Sequence, residues 1–187
     1  MRIERLKKNY DVTGRWLFFP LHPETPDAGQ ALEDLFAGRG YDLDSMHKQM
    51  KERMEAEGLD YERRSHTYNS RLAQELAKWG DSQPGFESIH DELYRAYFVH
   101  GKNLADVNVL QDVAASVGLP RSDARDVLDE RLFKEAVDDD WAKARRYGVT
   151  GVPTFACDGQ GAVGAQPYEA LEGLIKQAGA EARGGAS

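Results

Sequence analysis

A series of consecutive helical patterns fills residues 43–147, and this long stretch limits the folds that the chain can form. Within each pattern, apolar residues recur three and four positions apart, as in helices that bury one face. Met46, Met50 and Met54 form one such stripe, which we interpret as an adaptable core seam rather than a binding face or a copper site. The fold must therefore accommodate a large all-helical region.

Sheet-like sequence lies on both sides of this helical region. Residues 14–21, GRWLFFPL, predict a buried strand that ends at Pro20. Residues 153–157 and 162–165 are short apolar runs separated by a turn sequence, DGQG, and predict a hairpin. Helical patterns at residues 2–10 and 168–177 flank these strands. The order predicts an α/β fold with an inserted all-helical domain.

Charge and composition exclude several classes of protein. The 187 residues carry a formal net charge of -8, which disfavours nucleic-acid binding. No apolar run approaches the roughly 18 residues of a membrane span, and residues 1–8 lack the apolar core of a signal peptide. A single cysteine is typical of a reducing compartment. We therefore expect a cytoplasmic protein without nucleic-acid or membrane partners.

Five histidines are the candidate ligands for a metal ion. Their spacing produces no HExxH motif and no close pairing with carboxylates of the kind that holds zinc. We therefore predict no metal site and no bound cofactor. The five are His22, His47, His66, His90 and His100.

Several stretches, in this order, resemble the DsbA-like branch of the thioredoxin superfamily, and more narrowly the FrnE-type DsbA family oxidoreductases. The resemblance implies a thioredoxin-like fold, thiol-disulfide oxidoreductase activity and a thiol or disulfide substrate, either a protein or glutathione. The stretches are FFPLHPETP, HTYNSRLAQELAKWG, RAYFVHGKNLAD, GVTGVPTF and VGAQPYEAL.

The same resemblance assigns a substrate groove to Gly151, Val152 and Pro153. Pro153 is the expected cis-proline, and the backbone of Val152 is expected to pair with an extended substrate or with glutathione. The resemblance also places the start of one helix on the active-site side, where we expect capping and surface roles rather than substrate contacts. The residues concerned are His66, Tyr68, Asn69 and Arg71.

The chemistry of that family has no counterpart in these residues. Its catalytic Cys-x-x-Cys follows the first strand of the fold, and both the strand and the motif are missing here. Cys157 lies on a predicted strand, where we expect it to act as a small core residue. If the flanking strands kept their places, the missing strand would leave a gap of about 10 Å, too wide for hydrogen bonds.

Three explanations follow from that gap. We expect first that the biological protein begins upstream of Met1. Alternatively, the remaining strands close up or pair with a second copy in a homodimer. The third is a pseudo-enzyme, a non-catalytic binding module. A glutathione-dependent isomerase or kappa glutathione transferase is the alternative enzyme, since its deciding serine falls in the missing segment.

The predicted domains follow the same division. A thioredoxin-like part at residues 1–40 precedes the helical insertion at 41–147. The cis-proline hairpin and final helix occupy residues 148–178, and residues 179–187 form a tail that we expect to be disordered.

Overall fold

The computed structural model describes residues 2–86 and 88–184. Helices dominate these residues, as the periodic patterns predict. The helices are α1 (Arg2–Asn9), α2 (Leu32–Phe36), α3 (Leu43–Ala56), α4 (Arg71–Asp81), α5 (Ile89–Phe98), α6 (Val107–Ser116), α7 (Arg121–Asp129), α8 (Lys134–Arg146) and α9 (Tyr168–Gln177). The strands are β1 (Gln30–Ala31), β2 (His66–Thr67), β3 (Thr154–Cys157) and β4 (Gln160–Val163).

The chain divides into two compact units. The terminal unit comprises Met1–Leu21 and Asp140–Ser187, and the central unit comprises His22–Asp139. The antiparallel pair β3–β4 belongs to the terminal unit, and the antiparallel pair β1–β2 belongs to the central unit. The domain bounds that the sequence places after residues 40, 147 and 178 stay a prediction.

The core of the central unit is built from the faces that the periodicity predicts. Leu76 of α4, Ile89 of α5 and Leu110 of α6 are fully buried. Gly80 of α4 lies so close to Ile89 that an added Cβ would come within 2.8 Å of it. The helices of this unit therefore pack closely through the residues that their sequence spacing selects.

The predicted strand at residues 14–21 is wrong. None of these residues belongs to a strand, and the side chain of Trp16 is 61% exposed. The amide of Phe18 donates to the Oδ2 of Asp140 at 3.3 Å instead of entering a ladder. An aromatic composition favours a strand only when a neighbouring strand completes the ladder, and among the described residues no strand pairs with this segment.

The methionine stripe of α3 also departs from its prediction. Met46 and Met50 are each 38% exposed, and α3 has no buried residue. Asp42 caps the helix, since its Oδ1 accepts from the amides of Asp44 and Ser45. Polar contacts of Asp44, His47 and Lys51 join α3 to residues 61–63, and the stripe is not a core seam.

Residues 182 and 183, which lie in the tail that the sequence predicts to be disordered, contact the end of α1. Ala182 forms a β-bridge with Tyr10, and the Arg183 side chain donates to the carbonyl oxygens of Lys7 and Tyr10. The Lys7 carbonyl belongs to the last turn of α1, where carbonyl oxygens lack partners within the helix, and the Tyr10 carbonyl lies just after its end. Residues 185–187 of the predicted disordered tail lie outside the described residues.

A buried ion network holds α4 to the segment that follows α7. Glu75 is fully buried and accepts from Arg71 Nε at 2.6 Å and from Arg131 Nε at 2.8 Å. Hydrogen bonding to Glu75 raises the pKa of Arg131. Arg71 also donates to Asp138 at 2.6 Å, and this hydrogen bond lowers the pKa of Asp138. A buried carboxylate is tolerated here because two guanidinium groups satisfy it.

We predict that Glu75→Gln destabilises the central unit by about 3 kcal/mol, because two partly buried guanidinium groups lose their counter-charge. Urea unfolding followed by far-UV circular dichroism measures this loss. The matched control is Asp129→Asn, which breaks the half-exposed pair with Arg125 and should cost less than about 1 kcal/mol. Equal effects of the two substitutions would contradict the structural role of Glu75.

Candidate functional site

The hairpin β3–β4 carries the residues that the sequence assigns to a substrate groove. Cys157 pairs with Gln160 across a two-residue turn made of Asp158 and Gly159. Both turn residues have positive φ, 47° and 75°, as a type I′ turn requires. The DG sequence supplies residues that tolerate this backbone, so the predicted hairpin is confirmed.

One face of the hairpin packs on the two helices of the terminal unit. Phe155 contacts a buried cluster formed by Leu6 and Tyr10 of α1 and its end and by Tyr168 and Leu171 of α9. Because side chains alternate along a strand, Cys157 lies on this same face, whereas Thr154 and Ala156 lie on the other. Helices α1 and α9 therefore fix the orientation of β3.

Polar contacts tie α1 to the segment that begins α9. Arg2 donates to the carbonyl oxygen of Gln166 at 2.7 Å, and the Asn9 amide donates to the Tyr168 hydroxyl at 2.9 Å. The Tyr10 hydroxyl donates to Glu172 at 2.9 Å. Hydrogen bonds from Lys176 and Tyr10 lower the pKa of the Glu172 carboxyl. These contacts make α1 and α9 a single support for the hairpin.

The pairing register decides which backbone groups of β3 face outward. The Gly164 amide donates to the Pro153 carbonyl oxygen at 2.8 Å, so alternate residues from Pro153 to Cys157 direct their backbone groups to β4. Thr154 and Ala156 consequently direct their amide and carbonyl groups away from β4. Among residues 2–86 and 88–184, no further strand pairs with this edge of β3. The edge offers hydrogen-bond donors and acceptors to an added strand.

The three predicted groove residues lie at the start of this edge. Val152 is 50% exposed, Pro153 is exposed and Gly151 is partly buried. The peptide bond between Val152 and Pro153 is cis. The Thr154 hydroxyl donates to the Gly151 carbonyl oxygen at 2.7 Å, which closes the turn into β3. The structure thus brings all three residues together on an accessible part of the terminal unit.

Cys157 lies at the opposite end of β3 and is partly buried. Four residues separate it from Pro153, which corresponds to about 13 Å along an extended strand. A disulfide requires Cα atoms within about 7 Å of each other. The thiol therefore cannot attack a sulfur atom that is held beside Pro153.

The residues that open α4 serve as scaffold in the central unit. The Asn69 side chain donates to the Thr25 carbonyl oxygen at 2.9 Å and accepts from the Arg71 amide at 2.9 Å. His66 pairs with Ala31 in the β1–β2 ladder, and its ring stacks on Tyr68. These are capping and packing contacts, whereas the sequence predicts capping and surface roles for this segment.

The residues that the structure describes contain neither a metal-binding cluster nor a membrane-spanning helix. In that part of the chain, no three side chains of the His, Cys, Asp or Glu type come together as they would around a metal ion. No described helix combines the length and the apolar composition that crossing a bilayer requires.

Sequence reasoning did not identify the outward backbone groups of Thr154 and Ala156. The signal was present, because the DG turn fixes the register and the register fixes which residues pair with β4. What the sequence could not supply was whether another strand of the described residues covers that edge, and none does.

Comparisons with known proteins agree with the predicted fold. The family model of the DSBA-like thioredoxin domain matches residues 1–176. Among solved structures, the chain is similar to a probable DsbA oxidoreductase from Streptomyces coelicolor. The TM-score is 0.78 at 27% identity, over 84% of this chain and 71% of that one. Among curated proteins, none matches the chain significantly.

A more distant likeness supports the fold alone. A candidate protein disulfide isomerase from Nitrosomonas europaea superposes with a TM-score of 0.58 at 15% identity, over 72% of each chain. The architecture is therefore thioredoxin-like of the DsbA type, with small sheets and many helices, as the sequence predicts.

We predict that Phe155→Ala destabilises the terminal unit by about 2 kcal/mol, because a partly buried ring leaves the cluster on α1 and α9. Val163→Ala is the matched control, since Val163 is 57% exposed on the neighbouring strand and should change stability by less than about 0.5 kcal/mol. Thermal unfolding of both variants measures the difference. Indistinguishable stabilities would show that the hairpin does not depend on this contact.

Proposed function

Because the chain belongs to the DSBA-like thioredoxin domain family, we propose that its terminal unit binds thiol- or disulfide-bearing substrates at Gly151, Val152 and Pro153. Proteins of this family act on such substrates. The observation that carries the proposal is the open edge of β3, which continues directly from the exposed Val152. An extended substrate would add to this edge as a strand, with its cysteine beside Pro153.

The proposed function is binding without thiol-disulfide exchange by this chain. Exchange requires an attacking thiolate and a second thiol that resolves the mixed disulfide. The 187 residues contain one cysteine. That cysteine lies about 13 Å along the strand from Pro153, which is beyond the reach of a disulfide. These residues therefore supply the recognition half of the family's chemistry and not the reactive half.

The branch of the family, the small-molecule substrate and the cellular compartment are further parts of this proposal. The stretches around residues 18–26 and 148–155 support a place in the FrnE-type branch. Glutathione is the small-molecule alternative to a protein substrate, since it also presents an extended backbone beside its thiol. A single cysteine supports action in a reducing compartment such as the cytoplasm.

Peptides with modified backbones test the binding step. The probe is an extended ten-residue peptide with a central S-methylcysteine, which cannot form disulfides. Two further versions carry N-methyl groups on alternate residues. One version is methylated at the odd-numbered positions and the other at the even-numbered positions. A strand that adds to β3 uses the amides of every second residue only. One methylated version should therefore bind about tenfold more weakly, while the other binds like the unmodified peptide. Fluorescence anisotropy measures all three, and equal losses in both would contradict strand addition.

Two proline substitutions repeat the test on the protein. Ala156→Pro removes an outward amide from the open edge of β3 and should weaken the peptide about tenfold. Val163 pairs with Thr154, so its amide faces away from β3, and Val163→Pro is the matched control. The affinity should survive that control. Glutathione competition then shows whether the small thiol occupies the same edge.

Insulin reduction by dithiothreitol tests the absence of exchange. We expect the rate with this protein to equal the uncatalysed rate, and we expect Cys157→Ser to leave it unchanged. A rate enhancement that disappears in Cys157→Ser would contradict the proposal, because it would make the single thiol reactive despite its distance from Pro153.

A further inference from the structure

The central unit contains a cavity of about 280 Å³ with two kinds of wall. Leu32 and Leu43 contribute apolar surface, whereas the segment before β2 contributes Arg63 and Arg64. The ladder between β1 and β2 and the bond from the Leu32 amide to the Ser65 carbonyl oxygen, 2.8 Å, hold these walls together. The cavity is therefore part of the folded framework of this unit.

The lining is positively charged although the chain is acidic. Two arginines and two histidines line the cavity, and Glu33 is the one acidic residue among them. The chain as a whole carries a formal net charge of -8. A local field opposite in sign to the total is directed at anions that enter the cavity, because the rest of the surface repels them.

Arg64 is held in place by aromatic neighbours. Its guanidinium lies 4.5 Å from the centre of the Tyr97 ring and 5.3 Å from that of Phe98, and it donates to the Tyr97 hydroxyl. It also donates to the His66 carbonyl oxygen at 3.3 Å. Its Nε is buried and has no hydrogen-bond partner among the described residues. Arg64 is thus a rigid cation that no carboxylate of the described residues neutralises.

Arg63 and His47 line the same cavity as Arg64. Arg63 pairs with Asp44 at 2.7 Å, but both side chains are more than half exposed, so water and other anions compete with this pair. His47 Nδ1 lies 3.1 Å from the Tyr61 hydroxyl. Burial, together with the charges of Arg63 and Arg64, lowers the pKa of His47. Burial is the first cause of this lowered pKa, and the two arginines add to it, so a bound anion would offset the contribution of the arginines.

We propose that this cavity binds a small organic anion, with its carboxylate, phosphate or sulfonate group against Arg63, Arg64 and His47. The apolar part of the ligand lies on Leu32 and Leu43. Planar guanidinium groups pair well with such oxyanions, and the aromatic support of Arg64 reduces the entropy lost on binding. This site is independent of the groove at Val152 and Pro153, and it makes no use of a thiol.

Benzenesulfonate and benzenesulfonamide test the charge requirement, because they share a shape and differ in charge at neutral pH. Calorimetric titration should detect binding of the sulfonate and at least tenfold weaker binding of the neutral sulfonamide. Sodium chloride at matched ionic strength separates site binding from general screening. Equal binding of the two compounds, or no binding of either, would overturn the proposal.

Substitutions of opposite sign locate the site. Arg63→Gln should weaken the sulfonate several-fold, and Glu33→Gln should tighten it by about threefold. Both side chains are replaced by neutral ones of similar size, so the fold should persist. Arg125→Gln, which removes an exposed arginine on α7, is the matched control and should leave the affinity unchanged. Identical affinities in all three variants would overturn the location.

The pH dependence gives a third measurement. The sulfonate stays ionised between pH 5 and pH 8, so a change in affinity comes from the protein. The charged and titratable groups around His47 are Arg63, Arg64, Asp44 and Tyr61. The pKa of free His47 lies below its ordinary value, and a bound anion raises it, so binding takes up a proton and the affinity should rise as the pH falls from about 7 to about 5. His47→Gln should flatten this profile, and an affinity that falls at lower pH would contradict the proposal.

Discussion

An extended segment becomes a strand only when another backbone satisfies its amide and carbonyl groups, and this requirement decides the form of the terminal unit. Residues 14–21 have the composition of a buried strand, yet they form none, and Trp16 is largely exposed. β3 pairs with β4 on one side and leaves the other edge unpaired in the described residues. Hydrogen bonding between neighbouring strands therefore outweighs the local preference of an aromatic sequence.

Local patterns predict most of the helical structure, because a helix satisfies its backbone within one segment. The spacing of Leu76, Ile89 and Leu110 identifies faces that are fully buried. The DGQG sequence identifies the hairpin, although its second strand begins at Gln160, two residues earlier than predicted. The wrong predictions concern segments whose structure depends on whether another element packs against them. Nothing in the periodicity of α3 shows whether another element covers it, so the same pattern that is core in α4 is exposed at Met46 and Met50.

The candidate sites were accessible to sequence reasoning to different degrees. Gly151, Val152 and Pro153 could be assigned only through the family resemblance, since Val-Pro occurs in many loops. The positive cavity had no sequence signature, because Leu32, His47 and Arg64 come from separate elements and only the fold brings them together. A short-range motif can identify a turn or a cap, whereas a cavity requires the arrangement of several elements.

The exposure of α3 has a consequence for how this chain responds to oxidants. Met46 and Met50 are each 38% exposed on a helix without a fully buried residue. Conversion of these thioethers to sulfoxides would add polar oxygen atoms facing water, where they cost little, instead of in a core. Peroxide would thus oxidise methionines on the surface of the central unit. A methionine sulfoxide reductase could reduce them again without unfolding the protein.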